Sequence, residues 1–214
     1  MQSCADFLLS PAVQKLLRVA YAGADARLSI KDLAKAARLE DGEAQPTVEH
    51  LAASGILSRH NAQGDKPETF SVNAQFVFHD ELRSIALKSF AAAEPLRSML
   101  RAKFKDSVLR AFVLGEDAAG TIEVLIVHGQ TAPEQAAMSQ AIHKLSKAIG
   151  RNLAVQVITH ARYSALGARD PLHARLGARS VLEIIKPGDS KARVPVEKTG
   201  LLHSAKKKLA ALAR

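Results

Sequence analysis

The chain has 214 residues, 47% of them hydrophobic and 4% aromatic with no Trp, and a formal net charge of +9. That length supports one large domain or two small ones with real cores, and the scarcity of aromatics excludes a prominent stacking platform for single-stranded nucleic acid. Cys4 is the single cysteine, which excludes an intrachain disulfide framework and a Cys-rich zinc site.

Charge is divided unevenly along the chain. Residues 1–90 hold ten Lys/Arg against eleven Asp/Glu, whereas residues 91–214 hold twenty against ten. The positive excess of the second half favours polyanions such as nucleic acid, with solubility and pairing between chains as the bland alternatives. No apolar run approaches a membrane span and no basic, hydrophobic leader opens the sequence, so a reducing, cytoplasmic setting without a membrane partner is expected.

In chain order, Ser10 followed by Pro11 reads as a helix cap and first helical position, with Val13, Leu16, Leu17 and Ala20 at helical spacing and Gly23 closing the element. Ser29 with Asp32 is a candidate capping box for a short second helix whose apolar face is Ile30, Leu33, Ala36 and Ala37. Pro46 opens a third helix with Val48, Leu51 and Ala52 inward and Gly55 as its stop. Ile56 to Arg59 and Thr69 to Val72 then read as two strands of a hairpin. Three helices followed by a hairpin is the order of a winged helix-turn-helix; an arbitrary small helical domain with a hairpin is the alternative.

From His79 the pattern is helical again through Leu82, Ile85, Ala86 and Phe90, and Pro95 is expected to divide this connector before Leu96, Leu100 and Phe104. A strand from Leu109 to Leu114, a turn Gly115 to Gly120 and a strand from Thr121 to Val127 follow. Next come a helix marked by Met138, Ile142, Leu145 and Ile149, a strand from Asn152 to Thr159, one or two short helices and a terminal strand. The last twenty-nine residues carry eight Lys/Arg against Asp189 and Glu197. They suit a solubilising tail, a DNA contact or a packed amphipathic helix.

The segments FLLSPAVQKLLRVAY, LAASGIL and FSVNAQFVFHDELRSIALKS resemble the winged-helix domain of prokaryotic regulators that end in a nucleotidyltransferase-like domain of the polymerase-beta superfamily. Phe70 to Asn73 match a Tyr/Phe-x-x-Asn motif, Glu81, Leu82 and Arg83 match a helix start, and the likeness continues through LRAFVLG, IEVLIV and AIGRNLAVQVIT. The resemblance implies an α+β protein: a winged helix-turn-helix at 1–78, a helical connector at 79–105, a small α/β domain with a mixed sheet at 106–188, and a basic tail at 189–214.

That superfamily writes its site as a Gly-Ser turn with an Ala-Arg-Gly sequel, an Asp-x-Asp strand and a later carboxylate, because clustered acids hold the divalent ions that align phosphoryl transfer. Here Gly115 keeps the first glycine, but Glu116 stands at the serine and Ala119 at the arginine between Ala118 and Gly120. Thr121 and Glu123 stand at the two aspartates, and Leu153 to Thr159 contains no acid. The resemblance therefore implies a degenerate nucleotide site at Gly115, Glu116, Gly120, Thr121 and Glu123, without catalysis. An unusual cluster of Glu116, Asp117 and Glu123 is the remaining route to a metal.

A recognition helix at about Gln45 to Ser54 would place Gln45, Thr47, Glu49 and His50 outward, where Gln reads adenine, Glu accepts from cytosine and Thr meets phosphate or methyl. Lys31, Lys35, Arg59, His60 and Lys66, with Lys206, Lys207 and Lys208 of the tail, are the candidate backbone contacts. LEDGEAQPTVEH nevertheless has four acids and no Lys or Arg. His128, His143, His160, His173 and His203 show no metal-ligand spacing, Arg151 and Arg162 resemble basic residues flanking the later strand in that family, with helix capping or surface solubility as the alternative, and Arg169, Asp170 and Pro171 read as a helix start. The expectation is a homodimeric, double-stranded-DNA-binding transcriptional regulator with no cofactor, no metal and an unspecified effector. A protein-interaction or antitoxin-like module and a metal-dependent nucleotidyltransferase are the alternatives.

Overall fold

The computed structural model describes residues 3–23, 26–62, 64, 67–117 and 119–195. It shows a mixed α+β fold, with several helices around a small mixed sheet and a separate two-stranded hairpin.

Helix α1 spans Pro11–Ala20, and the Ser10 hydroxyl accepts a hydrogen bond from the Val13 amide at its start. Helix α2, Ile30–Ala37, is capped in the same way by Ser29, whose hydroxyl both accepts from the Asp32 amide and donates to the Asp32 carboxylate. Its buried face is Leu33, Ala34 and Ala37, while Ala36 of the expected face is exposed. The helix closes on Arg38, held left-handed at φ 55°, ψ 50°, as the Leu39 amide bonds back to the Ala34 carbonyl. A left-handed bend is normally given to glycine, so Arg38 is a strained turn residue.

Helix α3, Asp41–Ala53, begins earlier than expected and carries Pro46 in its interior, not at its first position. Asp41 and Glu43 fill the first turn, where the exposed amides favour negative charge, and this extends the helix ahead of the proline. Gly55, at φ +76°, supplies the left-handed stop, with the Ile56 amide reaching the Leu51 carbonyl. Strands β1, Leu57–His60, and β2, Thr69–Val72, pair antiparallel, and Leu28 adds a bridge to Phe70. Leu16, Leu17, Leu33, Val48, Leu51 and Phe70 form the first core.

The connector is not a free-standing unit. Helix α4, His79–Lys88, gives Ala86 to the first core and Leu87 to the second. Helix α5, Ala93–Lys103, buries Leu96 and Leu100 in the second core. The break falls at residues 89–92, and Pro95 does not make it: the proline lies in the first turn of α5, where an amide has no helical acceptor to lose.

The four-stranded sheet has the order β5-β4-β3-β6, formed by β3 Val108–Glu116, β4 Ile122–His128, β5 Leu153–Thr159 and β6 Leu182–Ile185. β3 lies antiparallel to β4 and to β6, while β4 and β5 are parallel and connected through α6, Gln135–Ile149. Alternation along β4 sends Ile122, Val124 and Ile126 toward the core that α5 and α6 cover. Leu125 and Val127 pack instead with Phe112, Leu114 and Leu172, below α7, His160–Ser164, and α8, Pro171–Leu176. Both faces of the sheet are therefore covered, which is why its central strands read as nearly unbroken apolar runs.

Beyond β6 the chain folds back over the end of the sheet. The Lys191 amide donates to the Lys105 carbonyl at 2.8 Å and the Gln130 amide to the Arg193 carbonyl at 3.0 Å. Residues 189–193 thus belong to the folded body, whereas the expected tail began at 189. Among the described residues no helix is long and apolar enough to cross a membrane.

Candidate functional site

The strand-turn-strand segment at the head of the sheet and the seam between the two cores form one site. Strand β3 runs two residues further than the sequence suggested, so Gly115 and Glu116 are strand residues and the turn proper begins at Asp117. Gly115 takes φ +136° at an irregular step in the β3–β4 register, and Gly120 takes φ +78°. Such angles are open to glycine at little steric cost.

The turn satisfies itself. Asp117 Oδ1 accepts from the Ala119 amide at 2.9 Å and from the Thr121 amide at 2.8 Å, and the Asp117 amide donates to the Thr121 carbonyl. A turn that cradles phosphate needs its amides pointing at the ligand. Here the carboxylate of Asp117 holds two of those amides.

The acids do not converge, which corrects the idea that Glu116, Asp117 and Glu123 form a cluster. Glu116 pairs across the ladder with Ile122, and Gly115 with Glu123, so strand alternation sends the two glutamates to opposite faces of the sheet. Glu123 forms an ion pair with Arg175 of α8. Glu116 turns toward the seam between the cores, where its Oε2 accepts from Arg83 Nε at 3.1 Å and lies 3.0 Å from Arg83 Nη2. Its Oε1 meets the guanidinium of Arg151. No group of three His, Cys, Asp or Glu side chains that could hold a metal occurs among the described residues.

Arg151 is therefore not a surface residue, the simpler of the expectations for it; its side chain is 3% exposed, against 39% for Arg83. Burial, and then the neighbouring Arg83 cation, push its pKa down to about 10, so it remains protonated at neutral pH. Its Nη1 atom is buried without a hydrogen-bond partner. The triad faces a cavity of about 650 Å³. Tyr21, Val72 and His79 line the side nearer the first core, and Gly120, His143 and Lys147 line the side nearer the second. Gly150 ends α6 at φ +70°, and a Cβ there would lie 3.0 Å from that of Ala22 across the seam.

The described candidates for duplex contact occupy the first unit. Lys31, Lys35, Gln45 and His50 are exposed, while Thr47 and Glu49 are half-buried. Several are already engaged: the Thr47 hydroxyl donates to the Glu43 carbonyl at 2.7 Å, and a ring nitrogen of His60 lies 2.8 Å from the Ser71 hydroxyl. Arg59 is bound by Glu49 and Glu68 and lies over the Phe70 ring. Lys66, Lys206, Lys207, Lys208 and Ala118 lie outside the described residues. Asp170 caps α8 through the Leu172 amide and pairs with Arg162; both hydrogen bonds hold its carboxyl below the usual range, the amide bond most strongly. Arg83, Arg151 and Arg175 were missed as partners of the site acids. No local signal pairs them with an acid, since 33 residues separate Arg83 from Glu116 and 52 separate Glu123 from Arg175.

No family model matches the chain, and no curated protein and no solved structure matches it.

Proposed function

We propose that the protein is a DNA-binding transcriptional regulator: its first unit works as a winged helix-turn-helix and its second as a nucleotidyltransferase-like domain without catalysis. The observation that carries this reading is the arrangement of the first unit. Helices α2 and α3 pack together across the tight turn at Arg38 to Glu40, and an antiparallel hairpin follows at once. On α3 Gln45 and His50 are exposed, and α2 keeps Lys31 and Lys35 exposed on the same unit. Amino-terminal side chains of such a helix read base edges, while lysines on neighbouring elements grip phosphates.

Three features support an inert second unit. Glu116 and Glu123 face away from each other, each acid is neutralised by arginine, and Asp117 holds the turn amides that a phosphate would need. Two-metal transfer requires converging carboxylates, an arrangement that this register works against.

The locking of Arg59 between Glu49 and Glu68 favours a second reading, in which the first unit docks a protein. Selection of bound duplexes from a random pool, at several salt concentrations, separates the two. Enrichment of an inverted repeat supports sequence reading by a symmetric dimer, and the absence of any enriched duplex overturns the proposal. Within such a complex, Gln45→Ala should relax discrimination at one position, whereas Lys35→Ala should lower affinity evenly and reduce the salt slope.

A further inference from the structure

We infer that the cavity at the seam binds a small organic oxyanion, with its charged head at Arg151 and Lys147 and a flat apolar body against Tyr21 and Val72. The inference concerns ligand binding in the seam and stands independently of whether the first unit grips DNA.

The charge arrangement leads to it. Arg83, Lys147 and Arg151 line the cavity against a single carboxylate, Glu116. That carboxylate is shared by two guanidinium groups, so it can neutralise one of them and leaves the other in excess. Arg151 is ion-paired with Glu116 through Nη2, but its side chain is almost wholly buried and its Nη1 has no hydrogen-bond partner. A buried donor without an acceptor is destabilising. An oxyanion beside Nη1 would supply the missing acceptor and offset the excess of Arg83, Lys147 and Arg151 over Glu116 in the cavity lining.

The surroundings favour such a ligand. His143 and Lys147 stand one turn apart on α6 and share the wall beside Arg151. Neither is buried, so both can adjust to a head group. The opposite wall includes Ala20, Tyr21 and Val72, an apolar surface suited to a ring. A volume of about 650 Å³ falls within the range of small-molecule sites. Glu116 opposes an anion directly, and that opposition gives the inference a distinctive sign: removing the negative charge of Glu116 should tighten binding.

Isothermal titration of the full chain with phenyl phosphate, benzoate and benzyl alcohol, in metal-free buffer, tests this. Phenyl phosphate or benzoate is expected to saturate in the millimolar range or below while benzyl alcohol does not; the anion that binds more tightly tells a phosphate head from a carboxylate head. Lys147→Ala should weaken binding several-fold. Glu116→Gln should tighten it roughly tenfold, the equivalent of one charge-assisted contact. Should Arg151→Met alone fail to fold, the double variant Glu116→Gln/Arg151→Met removes both charges together and should lose binding. The proposal is overturned if neither anion saturates, if benzyl alcohol binds as well as the anions, if Glu116→Gln leaves affinity unchanged or weaker, or if the folded double variant binds like the parent.

Discussion

Truncation of Glu116 to alanine measures the arginine triad most directly. The carboxylate is 10% exposed and touches two guanidiniums in different environments: Arg83, at 39% exposure, and Arg151, at 3%. The Arg83 limb is largely screened by solvent, and an exposed pair of that kind contributes roughly 0.2–1 kcal/mol. The Arg151 limb is buried, and removing one partner from a buried pair costs about 3–5 kcal/mol because the remaining charge has nowhere to go. Access from the cavity argues for the lower end, so Glu116→Ala is expected to cost about 3 kcal/mol. With a urea dependence of about 2 kcal/mol per molar, the unfolding midpoint should fall by roughly 1.5 M. Arg83→Ala should cost about 1 kcal/mol or less. The double variant Glu116→Leu/Arg151→Met leaves no stranded charge and should recover to within about 1 kcal/mol of the parent. A loss below about 1 kcal/mol for Glu116→Ala, or a double variant as unstable as the worse single one, would refute the claim that a buried pair holds this seam.

Arg38→Gly relieves a left-handed residue but enlarges the unfolded ensemble; the steric gain should win, raising stability by about 0.5 kcal/mol in urea unfolding, and a loss would contradict the strained turn. Gly150→Ala combines φ +70° with a tight approach to Ala22, so it should cost about 1–2 kcal/mol; pairing it with Ala22→Gly should restore the part due to contact but not the backbone part. The Cys4 thiol is held above its ordinary value by partial burial and then by the Glu94 carboxylate, so less thiolate is present at any given pH. Its alkylation near pH 8 should be slower than that of a free thiol and should quicken in Glu94→Gln; an unchanged rate would show that the carboxylate does not act on it.

Short-range chemistry was legible in the sequence because its partners lie within one turn of chain. Ser10 and Ser29 reach amides three residues on, Gly55 supplies the bend after α3, and the nearly unbroken apolar runs of β3 and β4 need a sheet covered on both faces. Two boundaries are not legible from a proline alone, because its effect depends on its position in the helix: Pro46 sits inside α3 and Pro95 inside the first turn of α5.

Only the tertiary structure decided where the charges of the site go. Glu116 and Glu123 are seven residues apart along the chain, yet the pairing of Glu116 with Ile122 turns them to opposite faces. There each finds arginines from distant segments, Arg83 and Arg151 for one and Arg175 for the other. Residue identity fixes which charges exist and which helices and strands can form. Which charges meet, and which is buried without enough partners, follows from register and from the packing of two cores on each other, and neither is a local property of the chain.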